Sequence, residues 1–211
     1  MDLTTLLPDL TAFPLRRKYL IGVSGGCDSM LLLHALLARG YQRLVVCHLN
    51  HRLRGRASEG DARLVQTTAQ RLGITFLGES TDVAAFAKET KQSLETAARV
   101  VRQDFFGRCA TAERCYDLFL AHHANDQAET VLMNVLRGTG LRGLGGMREV
   151  TKLLPAGSRR ALTLIRPLLG CWREDLRAMA AAESIEFRED ASSQSSDHLR
   201  NRLRHELLPL A

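Results

Sequence analysis

Apolar positions along the first 147 residues follow two different rhythms. Short, nearly continuous apolar runs at 19–23, 44–49, 74–77 and 118–121 predict strands covered on both faces, because a half-exposed strand would alternate. Between them, 28–38, 58–72, 93–112 and 127–137 carry helical spacing. The first of these helices is apolar nearly all round and is expected to be buried. In the third, Leu94, Ala97, Ala98, Val101 and Phe105 form an i, i+3, i+4, i+7 stripe, with Arg102 at its margin, able to lie along the core edge and reach inward. Ser58 and Asp61 have the spacing of a capping box for the second helix. Alternating strands and helices predict an α/β fold built on a parallel sheet flanked by helices.

Glycines at 138, 140, 143, 145 and 146 then end the regular pattern. The stretch 148–166 reads as a loop or hairpin, and a small, mostly helical appendage follows with helices expected at 172–183 and 197–208. This places a division between 1–147 and 148–211.

Composition narrows the class. The chain has 211 residues, 45% hydrophobic and 25% charged, which fits a soluble globular protein and argues against disorder or fibre. No stretch approaches the roughly 18 apolar residues of a membrane span. The first twenty residues place their charges after their apolar positions and offer no small-residue cleavage site, so a cytoplasmic protein without a membrane partner is expected. A net charge of +6 favours a polyanionic partner such as nucleic acid or nucleotide. Cys27, Cys47, Cys109, Cys115 and Cys171 are odd in number and lack CxxC spacing, so reduced, mostly buried thiols are expected.

The sharpest local signal is IGVSGGCDS, residues 21–29, where a strand runs into a small-residue turn and then a helix. Gly25 and Gly26 permit close approach and unusual dihedrals, while Ser24, Ser29 and the N–H groups of the helix start can cradle phosphate. The patterns GxxxxGK[ST] and GxGxxG are both absent, which weakens NTPase-switch and dehydrogenase readings. HHANDQAET, 122–130, falls at a strand end and helix start, the edge where open α/β sheets bind ligands. Asp126 and Glu129 are three apart and share a helical face, although acids in a first turn also complement the helix dipole. His48, Asn50 and His51, followed by Arg52, Arg54 and Arg56, put a cationic loop at the same edge, suited to phosphate or RNA or simply solvated. Arg200, Asn201, Arg202, Arg204 and His205 make a second basic cluster.

SGGxDS resembles the pyrophosphate loop of the ATP pyrophosphatase (PP-loop) superfamily. With HLNHRLRGRASEGDA at 48–62, AHHANDQAETVLMNVLRGTGLRGLGGM at 121–147, RPLLGCWREDL from 166 and REDASSQSSDHLRNRLRHELLP ending at 209, the chain resembles the tRNA(Ile)-lysidine synthetase family. That resemblance implies a Rossmann-like (adenine nucleotide α hydrolase-like) fold. It also implies ATP-dependent attachment of free L-lysine to C2 of the wobble cytidine, position 34, of an isoleucine tRNA with a CAU anticodon. The cytidine oxygen would be adenylated with release of pyrophosphate, and the lysine ε-amine would then displace AMP.

On this reading ATP is the co-substrate, held by Ser24, Gly25, Gly26, Cys27, Asp28 and Ser29. Asp28 is the candidate ligand for Mg²⁺ or for ordering the loop, against the alternative of a helix-start dipole partner. Arg102 resembles an arginine that assists the ATP or lysine site, against a snorkelling surface role. Asp126 and Glu129 are implied to hold the lysine, completing a catalytic set of Asp28, Arg102, Asp126 and Glu129. His48, Asn50, His51, Arg54 and His122 are implied to line the substrate site. Asn125 stands where the resemblance leads one to expect aspartate.

The resemblance further leads one to expect C-terminal tRNA-binding domains absent from this chain, and a homodimer is counted among its expected assemblies. Competing readings are another PP-loop tRNA-modifying enzyme such as a thiolase, an amide-forming PP-loop ligase, or a nucleotide- or RNA-binding module without catalysis.

Overall fold

The computed structural model describes residues 3–140 and 144–189. The helix expected at 197–208 and the basic cluster Arg200–Arg204 lie outside them.

Strands β1 (Tyr19–Gly22), β2 (Leu44–Asn50), β3 (Thr75–Ser80), β4 (Asp117–Phe119), β5 (Val150–Leu153) and β6 (Leu162–Ile165) form one sheet in the order β3-β2-β1-β4-β6-β5. All neighbouring pairs are parallel except β5–β6, an antiparallel hairpin at the edge. Residues 148–166 thus contribute two strands to the same sheet. The helices are α1 (Leu3–Leu6), α2 (Cys27–Ala38), α3 (Arg56–Arg71), α4 (Val83–Thr90), α5 (Leu94–Glu113), α6 (Ala124–Leu136) and α7 (Arg173–Ala182). This is the α/β arrangement on a largely parallel sheet that the pattern predicted, of the Rossmann-like kind the resemblance implied.

Apolar character on successive strand residues has its reason in the two cores. On β1 and β2, Tyr19, Ile21, Leu44 and Val46 enter one core, with α2, α3 and α7, whereas Leu20, Val45 and Cys47 enter the other, with α5. Both faces are dry, so both parities are apolar until the carboxyl end of β2, where His48 and Asn50 are buried. Tyr19, Tyr41 and Phe119 interlock with ring centroids 5.0–5.6 Å apart, closing the lower part of the first core. As expected, α2 is deeply buried, with Met30, Leu31, Leu32, Leu33 and Leu36 inaccessible. All five cysteines are free thiols.

Two local expectations are corrected. The Ser58–Asp61 capping box does not form: α3 begins at Arg56, with Gly55 at φ +51 as its N-cap. Ser58 Oγ instead accepts the backbone N–H of Arg54 at 3.1 Å, and Asp61 is occupied by arginines. Helix α6 starts at Ala124 rather than 127, because His123 caps it: His123 Nδ1 accepts from Asp126 N, and Asp126 Oδ2 accepts from His123 N at 3.1 Å. Helix α4 was not anticipated; Asp82 caps it by accepting Ala85 N at 2.9 Å.

Candidate active site at the carboxyl edge of the sheet

Strand order reverses between β1 and β4, and the loops leaving the carboxyl ends of these two neighbours must diverge, opening a crevice. The turn 23–26 leaves β1 at this point, and the segment 120–123 leaves β4 beside it.

The turn is built from its own side chains. Ser24 N donates to Ser29 Oγ at 3.1 Å, Ser29 Oγ donates to the Gly26 carbonyl at 3.0 Å, and the two serine hydroxyls stand 3.1 Å apart. Ser29 is buried and committed to the turn, whereas Ser24 is exposed. Gly25 and Gly26, treated alike in the sequence, differ here. Gly25 lies at φ +93, a conformation L side chains rarely adopt, and a Cβ would meet Asp61 Cβ at 3.2 Å. Gly26 is extended at φ −79, and its Cβ would find only Ser24 Oγ at 3.5 Å, on the open side of the turn. Burial pushes the Cys27 thiol up to about 11, so it lines the turn as a neutral group.

Asp28 stands in the first turn of α2, and its Oδ1 is buried without a hydrogen-bond partner. Burial raises its pKa, opposed by His123 and Arg173 and reinforced by Asp126. His123 Nε2 lies 3.6 Å from Asp28 Oδ2 and 3.6 Å from Asp126 Oδ2, so a buried imidazole stands between carboxylates from two helices. With Nδ1 accepting from the Asp126 amide, the ring turns its Nε2–H toward both. The sequence reading passed over His123. The signal available was its place one residue before a helix and three before an acid, the spacing of a capping box.

Asp126 is partly exposed and doubles as cap partner, while Glu129 is fully buried. Asn125 is structural: its Oδ1 accepts Arg173 N at 2.9 Å, tying the starts of α6 and α7 together. His122, next to the cap, is half-buried. Gln127 exchanges hydrogen bonds with the backbone of Met147, at 3.0 and 2.7 Å, pinning the glycine-rich segment to α6.

At the end of β2, His48 Nδ1 donates to the Val23 carbonyl at 2.8 Å, leaving Nε2 as a buried acceptor without a partner. Burial lowers the pKa of His48 and brings that of His51 to about 4, with Arg102 and His48 adding to the shift of His51. Both rings are therefore neutral near pH 7. Arg102 is exposed on α5, and its charge acts on His51. Asn50 is buried; its Oδ1 accepts Arg52 N at 2.8 Å, holding Arg52 at φ +57. Asn50 and Arg52 line a cavity of about 350 Å³ with Gly55, Glu59, Ser80 and Asp82. Arg54 is committed elsewhere, to Asp61 at 2.5 Å.

A hard carboxylate oxygen, buried and unsatisfied at the mouth of a phosphate-sized turn, fits a divalent cation that takes most of its ligands from phosphate and water. Among the described residues, no group of three or more His, Cys, Asp or Glu side chains is arranged to hold a metal without such help.

A parallel sheet whose switch point carries SGGxDS and an acid–histidine–acid cluster defines an ATP-using PP-loop protein, and residues 3–211 match the PP-loop domain family, to which this chain belongs. Within that class it is 42% identical over 194 residues to tRNA(Ile)-lysidine synthase of Geobacter sulfurreducens, covering 91% of this chain and 40% of that relative. It is 40% identical over 190 residues to the protein of the same name from Bacillus licheniformis, covering 89% of this chain and 39% of the relative. The chain thus spans about 40% of the length of these curated relatives. Among solved structures, the U34-tRNA thiolase NcsA from Methanococcus maripaludis with its [4Fe-4S] cluster shares the fold, with a TM-score of 0.68 at 20% identity, covering 89% of this chain and 63% of that one. No helix among the described residues is long and apolar enough to cross a membrane.

Proposed function

We propose that this chain is the catalytic portion of a tRNA(Ile)-lysidine synthase. The observation that carries the reading is the convergence, at one switch point, of the Ser24–Ser29 turn and the Asp28–His123–Asp126 cluster. The similarity to lysidine synthases along most of the chain supports the substrate assignment.

Cytidine C2 bears a carbonyl oxygen, which leaves poorly until it is converted to a phosphate ester. In the first step that oxygen bonds to the α-phosphorus of ATP, the bond from Pα to the bridging oxygen breaks, and pyrophosphate leaves. The turn receives the β and γ phosphates on Ser24 Oγ and the first-turn N–H groups of α2, donors already aimed before charge develops. In the second step the ε-amine of lysine bonds to C2 and loses a proton, the C2–O bond breaks, and AMP departs. Asp126 and Glu129 are assigned to the lysine ammonium groups. His123 stands between Asp28 and Asp126 and presents its Nε2 proton to both, which offsets part of the repulsion that Asp126 exerts on Asp28. The residue that would hold Mg²⁺ is Asp28, through Oδ1; bound there, the ion would neutralise phosphate charge. The partners on this reading are ATP, L-lysine and an isoleucine tRNA with a CAU anticodon, in the cytoplasm.

The test is a pyrophosphate-release assay with isoleucine tRNA transcript, ATP and lysine, followed by mass analysis of the nucleosides. Lysine-dependent modification of cytidine 34 is expected. Sulfur incorporation would assign a thiolase instead, and ATP binding with no turnover a binding module.

A further inference from the structure

The turn that receives phosphate contains a Gly25–Gly26 peptide, and this is the one peptide of the loop whose rotation meets no Cβ on either side. A trans peptide points its C=O and the following N–H in opposite directions. Whatever fixes the Gly25 carbonyl therefore fixes the Gly26 N–H, which in the structure donates to Ser24 Oγ at 3.3 Å on the exposed side of the turn and is the donor an arriving phosphate would take over. Flipped, the same peptide would turn a carbonyl oxygen toward the phosphates.

In the structure that carbonyl accepts the backbone N–H of Arg188 at 3.0 Å, from the segment that follows α7. Arg188 is itself anchored: its Nε donates to Asp61 Oδ1 at 2.8 Å, and its guanidinium lies so close over Gly60 that a Cβ there would stand 2.9 Å from Cζ. Asp61 is 5% exposed and is held from the other side by Arg54 Nη2 at 2.5 Å. Gly25 also rests on the α3 residue that Arg188 grips, since its missing Cβ would lie 3.4 Å from Asp61 O as well as 3.2 Å from Asp61 Cβ.

We propose that Arg188 is a positioning residue for nucleotide: with Asp61 and Arg54 it forms a latch that holds the Gly25–Gly26 peptide in the orientation that offers the Gly26 N–H to phosphate. The latch couples the last described segment of the chain to the loop after its first strand, so the small appendage takes part in ATP binding without touching ATP. This rests on the ATP reading above. Gly60 belongs to the device as well: a Cβ there would meet the Arg188 guanidinium at 2.9–3.2 Å and shift it from its present path across α3.

The experiment compares wild type, Arg188→Ala, Arg188→Lys and Asp61→Asn in the full chain by calorimetry with ATP and with pyrophosphate, and by amide hydrogen exchange at residues 26 and 188. Losing one charge-assisted anchor should weaken both ligands about tenfold in Arg188→Ala, with Arg188→Lys recovering part of the loss. The KM for ATP should rise while the KM for lysine stays fixed, a split that general destabilisation would not produce. In Asp61→Asn the amide of residue 188 should exchange about tenfold faster, whether or not nucleotide is present. Unchanged ATP and pyrophosphate affinity in a folded Arg188→Ala protein overturns the latch. So does unchanged exchange at residue 188 in Asp61→Asn, the arm that decides the matter should Arg188→Ala fail to fold. Wild type that binds neither ATP nor pyrophosphate would overturn the ATP reading, and with it the latch's purpose, even with the exchange result intact.

Discussion

Replacing each glycine of the turn by alanine separates two demands that the sequence leaves fused. At Gly25, an L residue must adopt φ +93, at a cost of about 1–2 kcal/mol. The new Cβ must also be accommodated 3.2 Å from Asp61 Cβ and 3.4 Å from Val65 Cγ2, in a packed region, costing about 1 kcal/mol more. Alanine restricts the unfolded chain and returns roughly 0.5 kcal/mol. A net loss of about 2 kcal/mol is expected, or a fall in Tm of about 4–8 °C for a chain of this size. At Gly26 the backbone is ordinary and the nearest atom is Ser24 Oγ at 3.5 Å, so alanine should be neutral or slightly stabilising. Its methyl, however, projects where phosphate must approach the backbone. Urea unfolding and calorimetry with ATP on both variants check this. Gly26→Ala should keep its stability and lose ATP affinity, and the bulkier Gly26→Val should abolish it; Gly25→Ala should lose stability first. A folded Gly26→Ala protein with wild-type affinity would refute close backbone approach, and a Gly25→Ala protein as stable as wild type would refute the strained turn.

Glu129→Gln removes a buried charge with little change of shape and should raise the KM for lysine roughly tenfold while leaving ATP binding intact; an unaltered lysine dependence would remove it from the lysine site. Asp28→Asn should slow pyrophosphate release even at saturating lysine, and an unchanged rate would leave Asp28 a structural residue only. His51 stays neutral in the fold down to about pH 4, whereas unfolded histidine takes up its proton near 6.5, so the unfolded state binds more protons between these values. Stability should therefore fall by about 2 kcal/mol as pH drops from 6.5 to 4, allowing for partial solvent screening, with His48 adding in the same direction; His51→Asn should flatten that limb of the urea-unfolding profile. Isoleucine tRNA should bind this chain weakly and with steep salt dependence, and neutralising Arg52 and Arg56 should lower the log–log slope by about two units; Arg54 is left in place because Asp61 holds it. Tight, salt-insensitive binding would refute that assignment.

Most strands and helices, and the turn between β1 and α2, were legible because they are local. A strand buried on both faces advertises itself as an unbroken apolar run, and a strand–glycine–helix junction needs only nine consecutive residues to show itself. Helix starts were legible less well. Histidine is an unusual cap, so α6 was placed three residues late, and Ser58 turned back to Arg54 instead of capping forward. The functional reading of SGGxDS and HHANDQAET rested on resemblance, since spacing alone leaves the substrate open.

What belongs to the tertiary structure is every relation between residues far apart in the chain. That His123 stands between Asp28 and Asp126 follows from β1 and β4 being neighbours, a strand order no local pattern encodes. That Gly25 is strained and Gly26 is not depends on α3 lying against one and open space beside the other. Arg54, Asp61 and Arg188 show no relation to one another in the sequence, because side-chain periodicity reports which face of its own element a residue occupies and nothing about what that face meets. The chain alone determined most of the elements and the strand–turn–helix junction at 21–29; packing decided which charges meet beside that turn and which peptide they hold.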